Sequence, residues 1–504
     1  VQFECLWINA YKNLRDCRME WIDPPYLNAI IGANGSGKSN LIEAILHILI
    51  GVYLGRMPPF AFTCRYRTHG RVIELRSSSE HPGAITAMVD GMAIDLDQFR
   101  DCLRNVHGQV YFPELTFVSY SGTCERVTKL IEAYGRHFRQ ITGSPDADSL
   151  SPLFLRSSTD QAQRILLALY GHRRSVLLAR LHVSRVTDIR IIVRSPAYFD
   201  PAVHEPQLWG TSGAVRRVLA ALNDCAEGVE SQRRIKSRKL KGPVGQTSLF
   251  DLNNEMNSYQ ETRTYRFTSE GNHGSIHTVA DRLAKAQGDN LYLALEHLAV
   301  RHLLVSVDYQ IHGRQGEVFP FDHLSEGEKQ LLAVIGAVTL TTQRHNLILL
   351  DEPDTHLNPQ WLWEYPELLA EPLHDRQRRC STVLMTTHDP VLISGLRRDQ
   401  VWLAKRDADG RTTLTHPRRD PRGQGVANLL CSAEYFGLPS SLDKESQVLM
   451  DRRLALSVKP TLSEADKAEL ASLNSKLEFL QPGISERDPD YAAFLLQKYG
   501  RSDG

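Results

Sequence analysis

The chain has 504 residues, enough for about three domains by length alone. Lysine plus arginine equals aspartate plus glutamate at 59 each, so no global field points to nucleic acid or an anionic membrane, and any basic surface must be local. Eight scattered cysteines without a C-x-x-C pair or a zinc-spaced histidine cluster argue against a disulfide framework and a structural metal, and suit a reducing cytosol. No apolar run approaches the ~18–20 residues that span a bilayer. Val1-Gln2-Phe3-Glu4 lacks the basic and apolar regions of a signal peptide, so the expected location is cytoplasmic.

In chain order, residues 2–9 and 18–22 read as short strands around a polar hairpin, Tyr11-Lys12-Asn13-Leu14-Arg15-Asp16. Leu27-Asn28-Ala29-Ile30-Ile31 reads as a buried strand, and Leu41–Ile50 as a buried helix. Between them lies Gly32-Ala33-Asn34-Gly35-Ser36-Gly37-Lys38-Ser39-Asn40. This matches G-x-x-x-x-G-K-[ST], a loop whose backbone N–H groups converge on nucleotide phosphates. Lys38 would reach the β- and γ-phosphates and the Ser39 hydroxyl would ligand Mg²⁺. The strand–loop–helix setting makes nucleoside triphosphate binding the firmest inference from the sequence.

Residues 61–94 read as antiparallel strands with Asp90-Gly91 in a tight turn, and Leu115–Tyr120 as a further buried strand. Residues 125–225 read as mostly helical, interrupted by a strand at 187–193. No heptad repeat is sustained, which excludes a long coiled-coil arm. Residues 231–263 carry a basic run, Arg233, Arg234, Lys236, Arg238, Lys239 and Lys241, that is either a solvated loop or a nucleic-acid contact. It lacks the interleaved aromatics that stack on bases.

Leu324-Ser325-Glu326-Gly327-Glu328-Lys329-Gln330 precedes an apolar helix. Ser325 with Glu328 fits a capping box, and the same helix start offers a hydroxyl and the Gly327 amide to an anion. Leu347–Leu350 is an apolar strand that delivers Asp351 and Glu352 at its carboxyl end, where ligands bind in parallel α/β sheets. Asp351 would hold Mg²⁺, and Glu352 would orient and deprotonate an attacking water. About thirty residues on, the stretch 382–389 reads as a buried strand ending in His388, a γ-phosphate-sensing candidate. Asp407-Ala408-Asp409-Gly410 reads as a hairpin turn, and Ser463-Glu464-Ala465-Asp466 opens a helix with a cap in an otherwise helical tail.

Loop, signature, acidic pair and histidine together resemble the ATP-binding-cassette ATPases of the chromosome-maintenance (SMC) and RecF class, over residues 1–125 and 290–405. The resemblance implies an α/β, bilobed ABC-type P-loop NTPase head with a compact helical insertion and a helical C-terminal extension. The expected divisions are 1–125, a lobe with the phosphate loop; 126–285, a mainly helical insertion with a basic loop at 231–263; 286–430, a lobe with signature, acidic pair and histidine; and 431–504, the extension. It implies ATP and Mg²⁺ as cofactors, with Lys12 and Asn13 facing the nucleotide as an alternative to a solvated turn. It also implies a homodimer, or higher even oligomer, whose heads sandwich ATP between Lys38 of one copy and Ser325, Gly327 and Glu328 of the other. No glutamine matches the family's Mg²⁺-sensing position, where Tyr120 or Ser121 stands instead. The strings Leu208-Trp209-Gly210-Thr211-Ser212-Gly213, Asp351–Trp361 and Arg487-Asp488-Pro489-Asp490-Tyr491 are similar to ATPases of bacterial anti-phage systems, the Septu and retron-associated ATPases. That likeness implies a sensor or regulator working beside a separate nuclease or effector. A DNA-repair clamp and a self-contained nuclease are the competing readings; for the last, the downstream D-x-D Asp407-Ala408-Asp409 lies in the 407–410 turn.

Overall fold

The computed structural model describes residues 1–77, 85–104, 111–120, 125–142, 150–236, 258–270, 274–287, 290–341, 345–373, 381–459 and 461–480. The chain divides into two compact units, Val1–Gly423 and Gln424–Gly504. The larger is mixed α/β, as expected, and is built on three sheets.

The seven-stranded sheet carries the chemistry. Its order is Thr412–Thr415, Val401–Arg406, Leu27–Ile31, Thr382–Thr387, Asn346–Asp351, Leu115–Tyr120 and Phe154–Arg156. All neighbours are parallel except the first pair, a hairpin closed by the 407–410 turn with Gly410 at φ 77°. Leu27–Ile31, Asn346–Asp351 and Thr382–Thr387 are buried at every position. That explains their continuous apolar runs, because strands covered on both faces have no polar side to alternate with. Register aligns Asp351 with Thr386 on one side and Tyr120 on the other, and Thr387 with Ile31. The residues after these strands therefore emerge at one edge.

A six-stranded antiparallel sheet runs in the order Leu14–Glu20, Gln2–Tyr11, Phe62–Thr68, Arg71–Ser77, Ile85–Val89, Met92–Ile94. Asp90 and Gly91, at φ 51° and 81°, form the tight turn expected from their sequence. Its apolar side chains and the helix Lys38–Leu54 share one core, with Ile8, Leu14, Ile42, Ile45, Leu49 and Phe62 essentially inaccessible.

The stretch expected to be mainly helical does contain helices at Glu125–Ile141, Thr159–Gly171 and Gly213–Cys225. It also supplies Val183–Arg194, Gly228–Lys236 and Ser258–Phe267 to a third, five-stranded antiparallel sheet, completed by Leu304–Gly313 and Val318–Pro320. The basic loop is thus corrected in part. Its first residues, Ser231–Lys236, are a strand at the sheet edge, in register with Ser258–Arg263. Glu261 anchors them, accepting from Ser231 Oγ at 2.8 Å and from Arg263 Nε at 2.8 Å, with the Arg263 guanidinium over the buried Trp209 ring. Charge density in the run masked this pairing. Residues 237–257, with Arg238, Lys239 and Lys241, lie outside the described residues, as do Ser121 and 487–491.

The smaller unit begins at residue 424 and holds helices Val426–Cys431, Lys444–Ser457 and Glu464–Leu480. Ser463 and Asp466 form the expected reciprocal cap, and Arg452 makes a two-pronged contact with Glu469 at 2.7 and 2.8 Å. The described cysteines 5, 17, 64, 225 and 431 are free thiols. Among the described residues no helix is long and apolar enough to cross a membrane.

Candidate nucleotide site

The phosphate loop leaves Ile31 and turns into the helix Lys38–Leu54 without a side-chain cap. The first backbone amides of that helix therefore remain unclaimed by its N-cap side chain, as an anion site requires. Its glycines serve different ends. Gly35 and Gly37 have φ of 79° and 100°, the left-handed region that other residues enter at a cost. Gly32 needs space, because a Cβ there would lie 2.2 Å from the Ala404 carbonyl oxygen.

Lys38 is buried and folds over the loop, donating to Gly32 O at 2.8 Å. Burial lowers its pKa, opposed by the charges of Glu352, Asp351 and Asp354. Ser36 Oγ is buried without a partner, a polar atom inside the loop that a bound phosphate oxygen would satisfy.

The polar hairpin packs on this loop. Asn13 Nδ2 donates to Gly35 O at 2.8 Å, and Asn40 Nδ2 donates to Asn13 Oδ1 at 2.6 Å. Lys12 reaches Asn40 and forms an ion pair with Glu43, which is buried in the helix. Thr412 Oγ1 donates to Ser36 O at 2.8 Å and approaches Asn13 O at 3.3 Å, tying loop and hairpin together. Sequence reasoning singled out neither Glu43 nor Thr412. An acid inside an apolar helix face was a usable signal for the first; no local signal existed for the second.

Asp351 is buried at the end of its strand and accepts from Thr386 Oγ1 at 2.6 Å. Burial raises its pKa, while hydrogen bonds from Thr386, Ser39 and Tyr120 lower it. The structure thus brings Ser39, Asp351 and Tyr120 together, a set of oxygen donors suited to a small hard cation shared with phosphate oxygens. Glu352 sits at φ 49°, a strained setting for a non-glycine residue. It is clamped there: its N–H donates to Thr386 O and Thr386 Oγ1 at 3.1 Å each, and its carbonyl accepts from Thr355. One Glu352 carboxylate oxygen lies 3.3 Å from His388 Nδ1, both side chains partly accessible.

Asp354 is buried as well, and burial pushes its carboxyl up to about 6 against a hydrogen bond from Thr387 Oγ1. The loop it opens runs to Asn358, which caps the helix Pro359–Ala370 by accepting from Trp361 N.

Ser325 forms the expected capping box with Glu328: Ser325 N–H donates to the carboxylate at 2.7 Å, and Glu328 N–H to Ser325 Oγ at 3.3 Å. The helix continues to Thr341 through a π-helical turn at Leu332–Gly336. Gly336 admits this bulge against the neighbouring helix, since a Cβ there would stand 2.3 Å from Ile165. Gly327 is required by packing too, its missing Cβ facing the His356 carbonyl oxygen at 2.6 Å. Ser325 and Glu328 thus bond each other, and Gly327 packs against the 354–361 loop.

A family model described as "AAA domain, putative AbiEii toxin, Type IV TA system" matches residues 27–60 and 231–394. These stretches hold the phosphate loop, the signature, Asp351-Glu352 and His388. No curated protein matches. Similar solved structures include the SMC head domain from Thermotoga maritima, at 12% identity and TM-score 0.35, covering 83% of this chain and 100% of that one. An SMC head bound to the C-winged helix domain of ScpA matches at 13% identity and TM-score 0.36, covering 83% and 98%. RecF bound to ATP matches at 13% and 0.32, covering 82% and 97%. The matched AAA model and the geometry above both support an ATPase.

Proposed function

We propose that this protein binds and hydrolyses ATP as an SMC- and RecF-like ATPase whose nucleotide state governs assembly. One observation carries the reading. Lys38, Ser39, Asp351, Glu352 and His388 come from three separate stretches and converge at the carboxyl edge of one parallel sheet, where such sheets bind ligands. Asn34, Gly35, Ser36, Gly37, Lys38 and Asn40 line the phosphates, with Gly32 giving the loop its close approach. Asn13 and Lys12 brace the loop from the hairpin. Ser39 and Asp351 would hold Mg²⁺, which when bound neutralises charge on the β- and γ-phosphates. Glu352 accepts the proton of the attacking water, and His388, whose Nδ1 lies 3.3 Å from its carboxylate, contacts the γ-phosphate end of the site.

Ser325 and Glu328 bond each other and Gly327 packs against the His356 carbonyl of its own chain, and the likeness of this segment to a cassette signature supports a composite site. ATP on one copy is completed by the signature helix of a second, in an even oligomer. The further role we favour is a sensor or regulator in a bacterial anti-phage complex with a separate nuclease or toxic effector. The defence-ATPase-like strings support it, as does a matched model whose description names a toxin of a type IV TA system. The basic edge strand supports a second reading, a RecF-like DNA clamp, since Arg233 is exposed on it and phosphate contacts need local positive charge.

The experiment compares Glu352→Gln with wild type in ATP by sedimentation, then repeats this with proteins encoded beside it. A dimer that persists in the variant and dissociates in wild type as ATP is consumed is the expected result. A monomer at saturating ATP refutes the composite site. An effector co-eluting in an ATP-dependent way favours the regulator, and ATP-dependent duplex retention without a partner favours the clamp. DNA cleavage by the purified chain alone would overturn both in favour of a self-contained nuclease.

A further inference from the structure

Thr387 has no part in the roles above, yet it is the fully buried residue directly before His388. Its hydroxyl is used in both directions. It donates to Asp354 Oδ2 at 2.9 Å and accepts from the Asp389 N–H at 2.9 Å. A hydroxyl has one proton, and with the Asp389 N–H as donor that proton is committed to Asp354.

The consequence falls on the residue between. Thr387 is fixed by its register with Ile31. Asp389 is fixed by the Thr387 hydroxyl and by capping Val391 and Leu392, whose N–H groups donate to its carboxylate at 2.7 and 3.1 Å. The backbone of His388 is therefore held on both sides. Its half-exposed ring has Glu352 as its near charged neighbour at 3.3 Å, so ring placement depends on that backbone.

Asp354 is the other end of the tie. It is almost inaccessible, its Oδ1 has no partner, and the hydroxyl of the fully buried Tyr365 has none either. Burying a carboxyl so poorly satisfied is unfavourable, so packing alone does not account for an acid here. The hydrogen bond to Thr387 gives it a purpose.

We infer that Asp354 and Thr387 form a latch joining the loop after Glu352 to the turn that carries His388, and that both are positioning residues for the Glu352–His388 pair. This rests on the proposed roles of Glu352 and His388 in hydrolysis. Because Asp354 follows Glu352 by two residues and Thr387 precedes His388, the latch sets the spacing of base and histidine without touching nucleotide.

The test uses the full chain with Thr387→Val, Thr387→Ser, Asp354→Leu, His388→Ala and the double variant Thr387→Val/His388→Ala. Thr387→Val should lower kcat about tenfold or more, the scale of one lost hydrogen bond to a charged group, with KM for ATP little changed. Thr387→Ser keeps the hydroxyl and should restore turnover, and Asp354→Leu should reproduce the Thr387→Val pattern. The double variant should turn over like His388→Ala alone, since parts of one unit are not additive. Hydrogen exchange in peptides spanning 386–392 should quicken in Thr387→Val and match wild type in Thr387→Ser. The latch is overturned if His388→Ala loses turnover while Thr387→Val and Asp354→Leu do not, if the two losses multiply, or if exchange is unchanged. Wild-type turnover in both His388→Ala and Glu352→Gln is a different failure: it removes the hydrolytic roles beneath the latch, and its part in catalysis with them.

Discussion

The glycines of the phosphate loop separate two physical demands, and substituting them one at a time tests the geometry directly. A Cβ at Gly32 would stand 2.2 Å from the Ala404 carbonyl oxygen and 2.8 Å from Ser36 Oγ. The carbonyl cannot simply retreat, because Val401–Arg406 is paired with Leu27–Ile31, the strand that launches the loop. Overpacking of this kind costs about 1–3 kcal/mol. Gly32→Ala must either keep that strain, losing stability, or relieve it by shifting the loop, losing ATP affinity when binding pulls the loop back. The stability loss and the affinity loss together should therefore reach about 1–3 kcal/mol, or about 5- to 150-fold if expressed wholly in affinity. At Gly35 nothing lies within 4 Å of the added atom, and φ is 79°. Gly35→Asn should keep nearly wild-type stability, because asparagine tolerates the left-handed region, whereas Gly35→Val should lose about 1–2 kcal/mol or more. Denaturant unfolding and calorimetric titration with ATP read both quantities. Wild-type stability together with wild-type affinity in Gly32→Ala would refute the close approach of loop and strand.

Glu352→Gln should bind ATP with affinity close to wild type and hydrolyse it about 10²–10⁴-fold more slowly, the usual contribution of a positioned base; near-normal single-turnover rates would remove that role. Asp354, moved by burial from 3.8 to about 6, favours the protonated form in the fold. Its contribution to stability is present below about pH 4 and lost as pH rises through about 6. Asp354→Asn should therefore raise the unfolding free energy at pH 7.5, by at most about 3 kcal/mol, and make no difference at pH 3.5; an equal gain at both pH values would exclude titration as the cause. Neutralising Arg233, Arg234, Lys236, Arg238, Lys239 and Lys241 together should weaken duplex binding and flatten its dependence on salt, by about 0.9 in the log–log slope per lost phosphate contact. An unchanged slope would make that strand edge a bystander.

The sequence by itself determined the elements whose signal is local. Strands buried on both faces read as unbroken apolar runs, so Leu27–Ile31 and Leu115–Tyr120 are legible to the residue and Thr382–Thr387 all but its end, which the sequence carries on to His388. Turn chemistry placed Asp90-Gly91 and Asp407–Gly410, and motif spacing alone gathers Lys38, Ser39, Asp351, Glu352 and His388. Tertiary structure alone decided the rest. The five-stranded sheet forms from segments separated by helices, and its edge strand carries a charge run that looks like loop, because edge strands tolerate charge. Gly327 reads as an anion-binding amide, yet the nearness of the His356 carbonyl demands a glycine there in any case. The hydroxyls of Thr386, Thr387 and Thr412 carry no periodicity and no motif; the groups to which they donate, on Asp351, Asp354 and Ser36, lie 35, 33 and 376 residues away. A hydrogen bond between distant segments leaves no trace in the sequence until the sheet sets its register, so the sequence named the groups proposed to do chemistry and the fold named those that hold them in place.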